Sequence, residues 1–266
     1  DVVYATQEGG FVDVLLGNEL GVLDLALRID VAQDVRELLL GDCDGDGDLD
    51  VVVGTADRAR TYRNLRAEED VAPDAVRFEE GPEAITRSAV YGMVLADLDH
   101  VGSPDIVLDT ARGLRIHLGG LEATPVETLG NSHQAGTRIV AADVDLDGWL
   151  DLVFGTATGS GILVCLAAAG DEGEPPATWF SAPELLPMSE RALQVEVEDL
   201  NRDTLPDLLV LIAQGPLSGM APVRLLTQTV DGFFELIPAG AGAGAEGEGD
   251  GHRADGMALV DMDGNG

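Results

Sequence analysis

Residues 143–154 read D-V-D-L-D-G-W-L-D-L-V-F, and this stretch decides the fold. Acids stand at its first, third, fifth and ninth places, a glycine at its sixth, and an apolar run starts directly after the last acid. The design recurs along the chain. Residues 42–50 read D-C-D-G-D-G-D-L-D, 97–105 read D-L-D-H-V-G-S-P-D, and 199–207 read D-L-N-R-D-T-L-P-D. A fifth copy opens as D-M-D-G-N-G at 261. A motif repeated at intervals of a few tens of residues points to a solenoid or propeller, in which each repeat is one supersecondary unit.

Apolar stretches flank the loops. Leu38–Leu40, Met93–Ala96, Ile139–Ala142 and Met257–Val260 precede them; Val51–Val53, Ile106–Leu108, Leu152–Phe154 and Leu208–Leu211 follow. These runs are too short and too rich in β-branched residues for helices, so the pattern is strand, Asp loop, strand. Loop starts at 42, 97, 143, 199 and 261 are 55, 46, 56 and 62 residues apart, room for about four short strands in each repeat. The chain is therefore expected to be all-β: a β-propeller of four-stranded blades, with about five blades' worth of sequence in a single domain over 1–266. Repeats counted from the closing acid of each loop run 1–49, 50–104, 105–150, 151–206 and 207–266. Further strands are expected at Phe11–Leu16, Ala59–Asn64, Leu114–Leu118, Gly161–Leu166, Val223–Gln228 and Phe233–Ile237. Residues 239–251 alternate Gly with Ala and Glu and read as a flexible loop in the last repeat.

Composition narrows the partners. With 15 basic and 49 acidic residues the formal charge is -34, and every basic residue is Arg. Such a chain repels nucleic acid and anionic membranes and attracts cations. No apolar run is long enough to span a bilayer, so no membrane insertion is expected in this segment, and any export signal is expected to have been removed or to lie outside it. Cys43 and Cys165 make no disulfide framework and are expected to be free thiols.

Calcium takes six to eight hard oxygen ligands in irregular geometry, which a loop of alternating carboxylates plus one backbone carbonyl supplies. In the first loop the candidate ligands are Asp42, Asp44, Asp46 and Asp50, with the carbonyl of Asp48; in the third they are Asp143, Asp145, Asp147 and Asp151, with the carbonyl of Trp149. The second offers Asp97, Asp99 and Asp105 but has Val101 at its fifth place. The fourth offers Asp199, Asn201, Asp203 and Asp207, with the carbonyl of Leu205, and the fifth offers Asp261, Asp263 and Asn265. An EF-hand shares the opening D-x-D-x-D-G but needs a bidentate Glu at position 12 between helices. Position 12 here is Val53 or Phe154, and Pro104 and Pro206 at position 8 also oppose a following helix.

These loops resemble the FG-GAP or VCBS repeats of integrin α-chain-like β-propellers, whose calcium loops look like D-x-[DN]-x-D-G-x-x-D followed by an apolar strand. Phe154-Gly155 matches the Phe-Gly that names that family. The resemblance implies structural calcium on the blades and a ring of seven, of which this chain would be a segment; a ring of five is the alternative. Val101 is a departure expected to weaken or abolish the second site, and Thr204, where Gly is usual, is expected to strain the fourth. Asp1-Val-Val-Tyr looks like the ninth place of a loop followed by its strand.

Catalytic candidates are few. His100, His117, His133 and His252 show no ligand spacing and are expected at the surface. Gly242–Gly247 fits G-x-G-x-x-G outside any strand-to-helix turn, and Trp149 and Trp179 read as packing residues. The reading that follows is a non-enzymatic binding or scaffolding module for a protein or glycan, in an extracellular, cell-surface or periplasmic space rich in calcium. The alternative is the propeller portion of a secreted enzyme, polysaccharide lyase-like or phospholipase-like, with its catalytic residues elsewhere.

Overall fold

The computed structural model describes residues 1–6, 9–18, 20–65, 77–129, 139–156, 161–168, 178–213, 223–232 and 234–236. The chain divides into two compact units, Asp1–Ala135 and Gly136–Gly266. Every described element is a β-strand, and every sheet is an antiparallel meander of consecutive strands, the blade unit of a β-propeller. No helix among the described residues is long and apolar enough to cross a membrane.

The first unit holds three sheets. One is three-stranded: β1 (Val2–Ala5), β2 (Phe11–Gly17) and β3 (Leu23–Asp30). The next has β4 (Glu37–Gly41), β5 (Asp50–Gly54), β6 (Arg58–Asn64) and β7 (Phe78–Ile85), and the third has β8 (Val90–Ala96), β9 (Asp105–Thr110), β10 (Gly113–His117) and β11 (Glu127–Leu129). Val51 and Val53 of β5 pack with Val12, Ile29, Val35 and Tyr62 on one side. Val52 packs on the other with Val90, Met93, Ile106 and Leu108. Successive side chains of a strand point to opposite faces, so a strand covered on both faces must be apolar throughout. That is why β5 and its counterparts appear in the sequence as unbroken apolar runs. At Gly54 the two sheets come so close that a Cβ would lie 2.9 Å from Val90 Cγ1.

The second unit repeats the design in two sheets. These are β12 (Val140–Ala142), β13 (Asp151–Gly155), β14 (Gly161–Cys165) and β15 (Glu184–Pro187), then β16 (Ala192–Glu198), β17 (Asp207–Ile212), β18 (Val223–Gln228) and β19 (Phe234–Leu236). Their shared core contains Val144, Val153, Ile162, Val195, Leu208 and Val210.

Each complete Asp loop joins the first and second strands of one sheet, so the sheets run in a frame shifted by one strand from repeats counted at the closing acid. Cys43 is half-buried and Cys165 buried, and no disulfide joins them. The expected strand at Phe233–Ile237 is described only as Phe234–Leu236; the Gly-rich stretch 239–251, His133 and His252 lie outside the described residues.

Candidate metal centres

The ninth-place acid of every loop is the first residue of a strand, and Asp50, Asp105, Asp151 and Asp207 are all fully or almost fully buried. Burying a carboxylate demands hydrogen bonds to it. Each of these acids accepts two, from the same two backbone places. One oxygen takes the N–H of the loop's second residue: Cys43 at 2.9 Å, Leu98 at 2.7 Å, Val144 at 2.8 Å and Leu200 at 3.1 Å. The other takes an N–H at the end of the third strand: Asn64 at 2.8 Å, Gly119 at 2.7 Å, Ala167 at 2.6 Å and Gln228 at 3.1 Å. The closing acid is thus a clamp fastening the loop's entrance to the neighbouring hairpin.

The first-place acid caps the loop from inside. Asp42 accepts from Gly45, Asp46 and Gly47; Asp143 accepts from Asp147 and Gly148; Asp199 accepts from Asp203 and Thr204; Asp97 accepts from Gly102. Third-place side chains each accept from the N–H two residues on: Asp44 from Asp46, Asp99 from Val101, Asp145 from Asp147, Asn201 from Asp203. The fifth-place acids Asp46, Asp147 and Asp203 repeat the step toward Asp48, Trp149 and Leu205. These are consecutive Asx turns, and they wind the backbone into a tight coil.

That coil requires positive φ at the fourth and sixth places. The fourth-place values are 79° at Gly45, 58° at His100, 61° at Leu146 and 64° at Arg202; at the sixth, Gly47, Gly102 and Gly148 lie between 87° and 93°, and Thr204 is held at 73°. A β-branched residue is strained there, as expected for the fourth loop from its sequence.

The coil brings first-, third- and ninth-place acids together. One carboxylate oxygen from each of Asp42, Asp44 and Asp50 lies within 4.8 Å of the others, and the same holds for Asp97, Asp99, Asp105 and for Asp143, Asp145, Asp151. Val101 therefore does not prevent the second loop from gathering its three acids. Asp46 and Asp147 stand outside these groups. Asp261, Asp263 and Asn265 lie outside the described residues.

Crowding and burial oppose ionisation. Burial, with the nearby Asp145 and Asp147 carboxylates adding to it, pushes Asp151 up to about 6 against the hydrogen bonds from Ala167 and Val144. Asp50 and Asp105 are also raised, chiefly by burial, and Asp145 by burial and then Asp147. In the second loop Oδ1 of Asp97 is a buried oxygen with no hydrogen-bond partner in the protein. Three carboxylate oxygens gathered this closely could hold a metal ion, and hard oxygens are the donors that calcium takes.

Sequence reasoning missed half of the clamp. The third-strand donors Asn64, Gly119, Ala167 and Gln228 act through backbone N–H groups, which impose no side-chain signature. It also misplaced His117, which is 2% exposed. Its Nδ1 lies 2.8 Å from the carbonyl oxygen of Ala123, and burial lowers its pKa, so it is a core histidine of β10. His100 is exposed, and Trp149 and Trp179 are half-buried. Burial, then Asp50, Asp44 and Asp42, push the Cys43 thiol up to about 12, which leaves it a poor nucleophile.

No protein-family model matches the chain. No curated protein matches it. The resemblance to FG-GAP and VCBS repeats therefore stands on the loop residues themselves. Among solved structures, a similar chain comes from work described as engineering the active site of a GH43 glycoside hydrolase to give both endo-xylanase and exo-arabinofuranosidase activity. It is 12% identical with a TM-score of 0.44, and the match covers 88% of this chain and 51% of that one. This chain thus spans about half the length of that neighbour, and a likeness at this level carries no chemistry across.

Proposed function

We propose that the chain is a calcium-binding repeat module in which calcium is structural: it holds the Asp loops, and the loops present a binding surface to a protein or glycan. The supporting observation is the convergence of three carboxylate oxygens within 4.8 Å in each of three loops whose sequence, backbone coil and clamp are alike. Acids at places one, three and nine would hold the ion, joined by the fifth-place acid and the seventh-place carbonyl that the family resemblance adds. Bound calcium supplies positive charge that offsets the mutual repulsion of these carboxylates. Sites of modest affinity fill at the millimolar calcium found outside cells, so the proposed location is extracellular, cell-surface or periplasmic.

Titration of the chelated chain with calcium, followed by calorimetry, tests this. Asp147→Ala is expected to lower the number of ions bound while leaving the chain folded. Unchanged stoichiometry in that variant would remove the third loop from the reading.

The second reading is the propeller portion of a carbohydrate-active enzyme. The description of the solved neighbour is on its side, at a likeness too low to carry an argument. Cleavage of a polysaccharide by the full-length protein would favour it; saturable binding without turnover favours the scaffold.

A further inference from the structure

Within the first unit, the seam between the second and third sheets holds a cavity of about 210 Å³. Both Asp loops of that unit reach it: Cys43 and Asp44 from the first, Ser103 and Pro104 from the second. Clamps fix two of its walls. The N–H of Cys43 donates to Asp50, and that of Gly119, also in the lining, donates to Asp105. Ile106 and Leu121, both buried, give the cavity an apolar side together with Pro82.

One polar atom of the lining is unsatisfied. Arg63 of β6 is held by Glu79, whose Oε1 accepts from Nη2 at 2.6 Å. Its Nε is buried and has no hydrogen-bond partner in the protein. A buried donor without an acceptor is costly, and the cavity that Arg63 lines is open to one.

Charge decides which ligand suits this donor. Glu79 offsets the Arg63 charge, while the exposed Asp44 and Glu122 bring carboxylates to the lining. An anionic ligand meets negative charge here, on a chain of formal charge -34, and is repelled. An ammonium suits the carboxylates but offers Nε–H no acceptor. A neutral hydroxyl serves both, since its oxygen accepts from Nε–H while its proton goes to a carboxylate. Size narrows the choice further. A cavity of roughly 150 Å³ holds a benzene ring, and sites for drug-sized ligands start at about 300 Å³, so this one takes a single six-membered ring with its substituents.

We propose that the seam cavity binds one neutral pyranose unit of a glycan, with ring hydroxyls accepting from Arg63 and donating to Asp44 and Glu122, and C–H groups against Ile106, Leu121 and Pro82. This rests on the reading of the chain as a binding module and gives that module a ligand class and a place.

The test is titration of the folded full chain with the methyl pyranosides of glucose, galactose, mannose and xylose, with glucuronate as the anionic control. Binding is followed in proton–nitrogen correlation spectra that include the arginine Nε–H signals. Each titration runs in EDTA and in millimolar calcium with bound ions counted in the same samples, so failure of the sugar site and absence of calcium are read apart. Saturable binding of at least one neutral pyranoside is expected, with a shift of the Arg63 Nε–H signal. Arg63→Lys keeps a charge beside Glu79 but removes Nε–H, and should weaken binding roughly tenfold or more. Ser103→Trp, at an exposed position of the lining, should do the same by filling the cavity. No saturable binding of any neutral pyranoside in either buffer, tighter binding of glucuronate, or unchanged affinity in either folded variant overturns the proposal.

Discussion

Single residues in the loops divide the work of folding from the work of holding an ion. Asp151 is 0% exposed and accepts from Val144 and Ala167, so its removal orphans two backbone donors. Each orphaned buried donor costs roughly 1–3 kcal/mol. Asp151→Ala is expected to lower unfolding free energy by about 3 kcal/mol in urea titrations performed without calcium, whereas the exposed Asp147→Ala should change it by less than about 1 kcal/mol. Thr204 gives the opposite sign. Its φ of 73° is unfavourable for a β-branched residue, and Thr204→Gly should raise stability by up to about 1 kcal/mol, seen as a higher urea midpoint at unchanged slope.

At the scale of strands, the place four residues after the closing acid is Gly54 in β5, Asp109 in β9 and Gly155 in β13. Asp109 is 5% exposed, its Oδ1 has no partner, and burial, with the Glu37 charge at the head of β4 adding to it, raises its pKa to about 7. The unfolded chain releases this proton near pH 4, and the native chain keeps it to about pH 7. The stabilisation is full below the lower value and is lost as pH rises through the higher one. Asp109→Asn should flatten that fall, a few kcal/mol at most, in denaturant midpoints measured from pH 4 to pH 8. The strands themselves were unequally legible. Second strands such as Asp50–Gly54 and third strands such as Gly161–Cys165 are buried on both faces and read directly as apolar runs. Outer strands left no such trace: Phe78–Ile85 and Leu23–Asp30 are solvated edges whose sequences mix Glu, Arg and Asp with apolar residues. First strand Ala192–Glu198 escaped because Gln and Glu alternate with its buried Val195.

For the whole molecule, the same loop design appears in both compact units, and its acids account for part of a formal charge of -34. The loop positions were readable because each ligand place needs a particular side chain. The clamp was not readable, because its donors are backbone. Clustered carboxylates repel one another, and Asp50, Asp105 and Asp151 are reluctant to ionise. Any ion that binds only the folded chain raises its stability by RT ln(1 + [L]/Kd), about 2.7 kcal/mol at a hundredfold excess over Kd. The decisive measurement is elemental analysis of the dialysed, folded chain together with its melting temperature in EDTA and in millimolar calcium. Calcium-held loops require at least three ions, one for each three-acid group, and a melting temperature that rises on calcium addition and falls on chelation. A folded chain free of calcium, with the same melting temperature in both buffers, would contradict it.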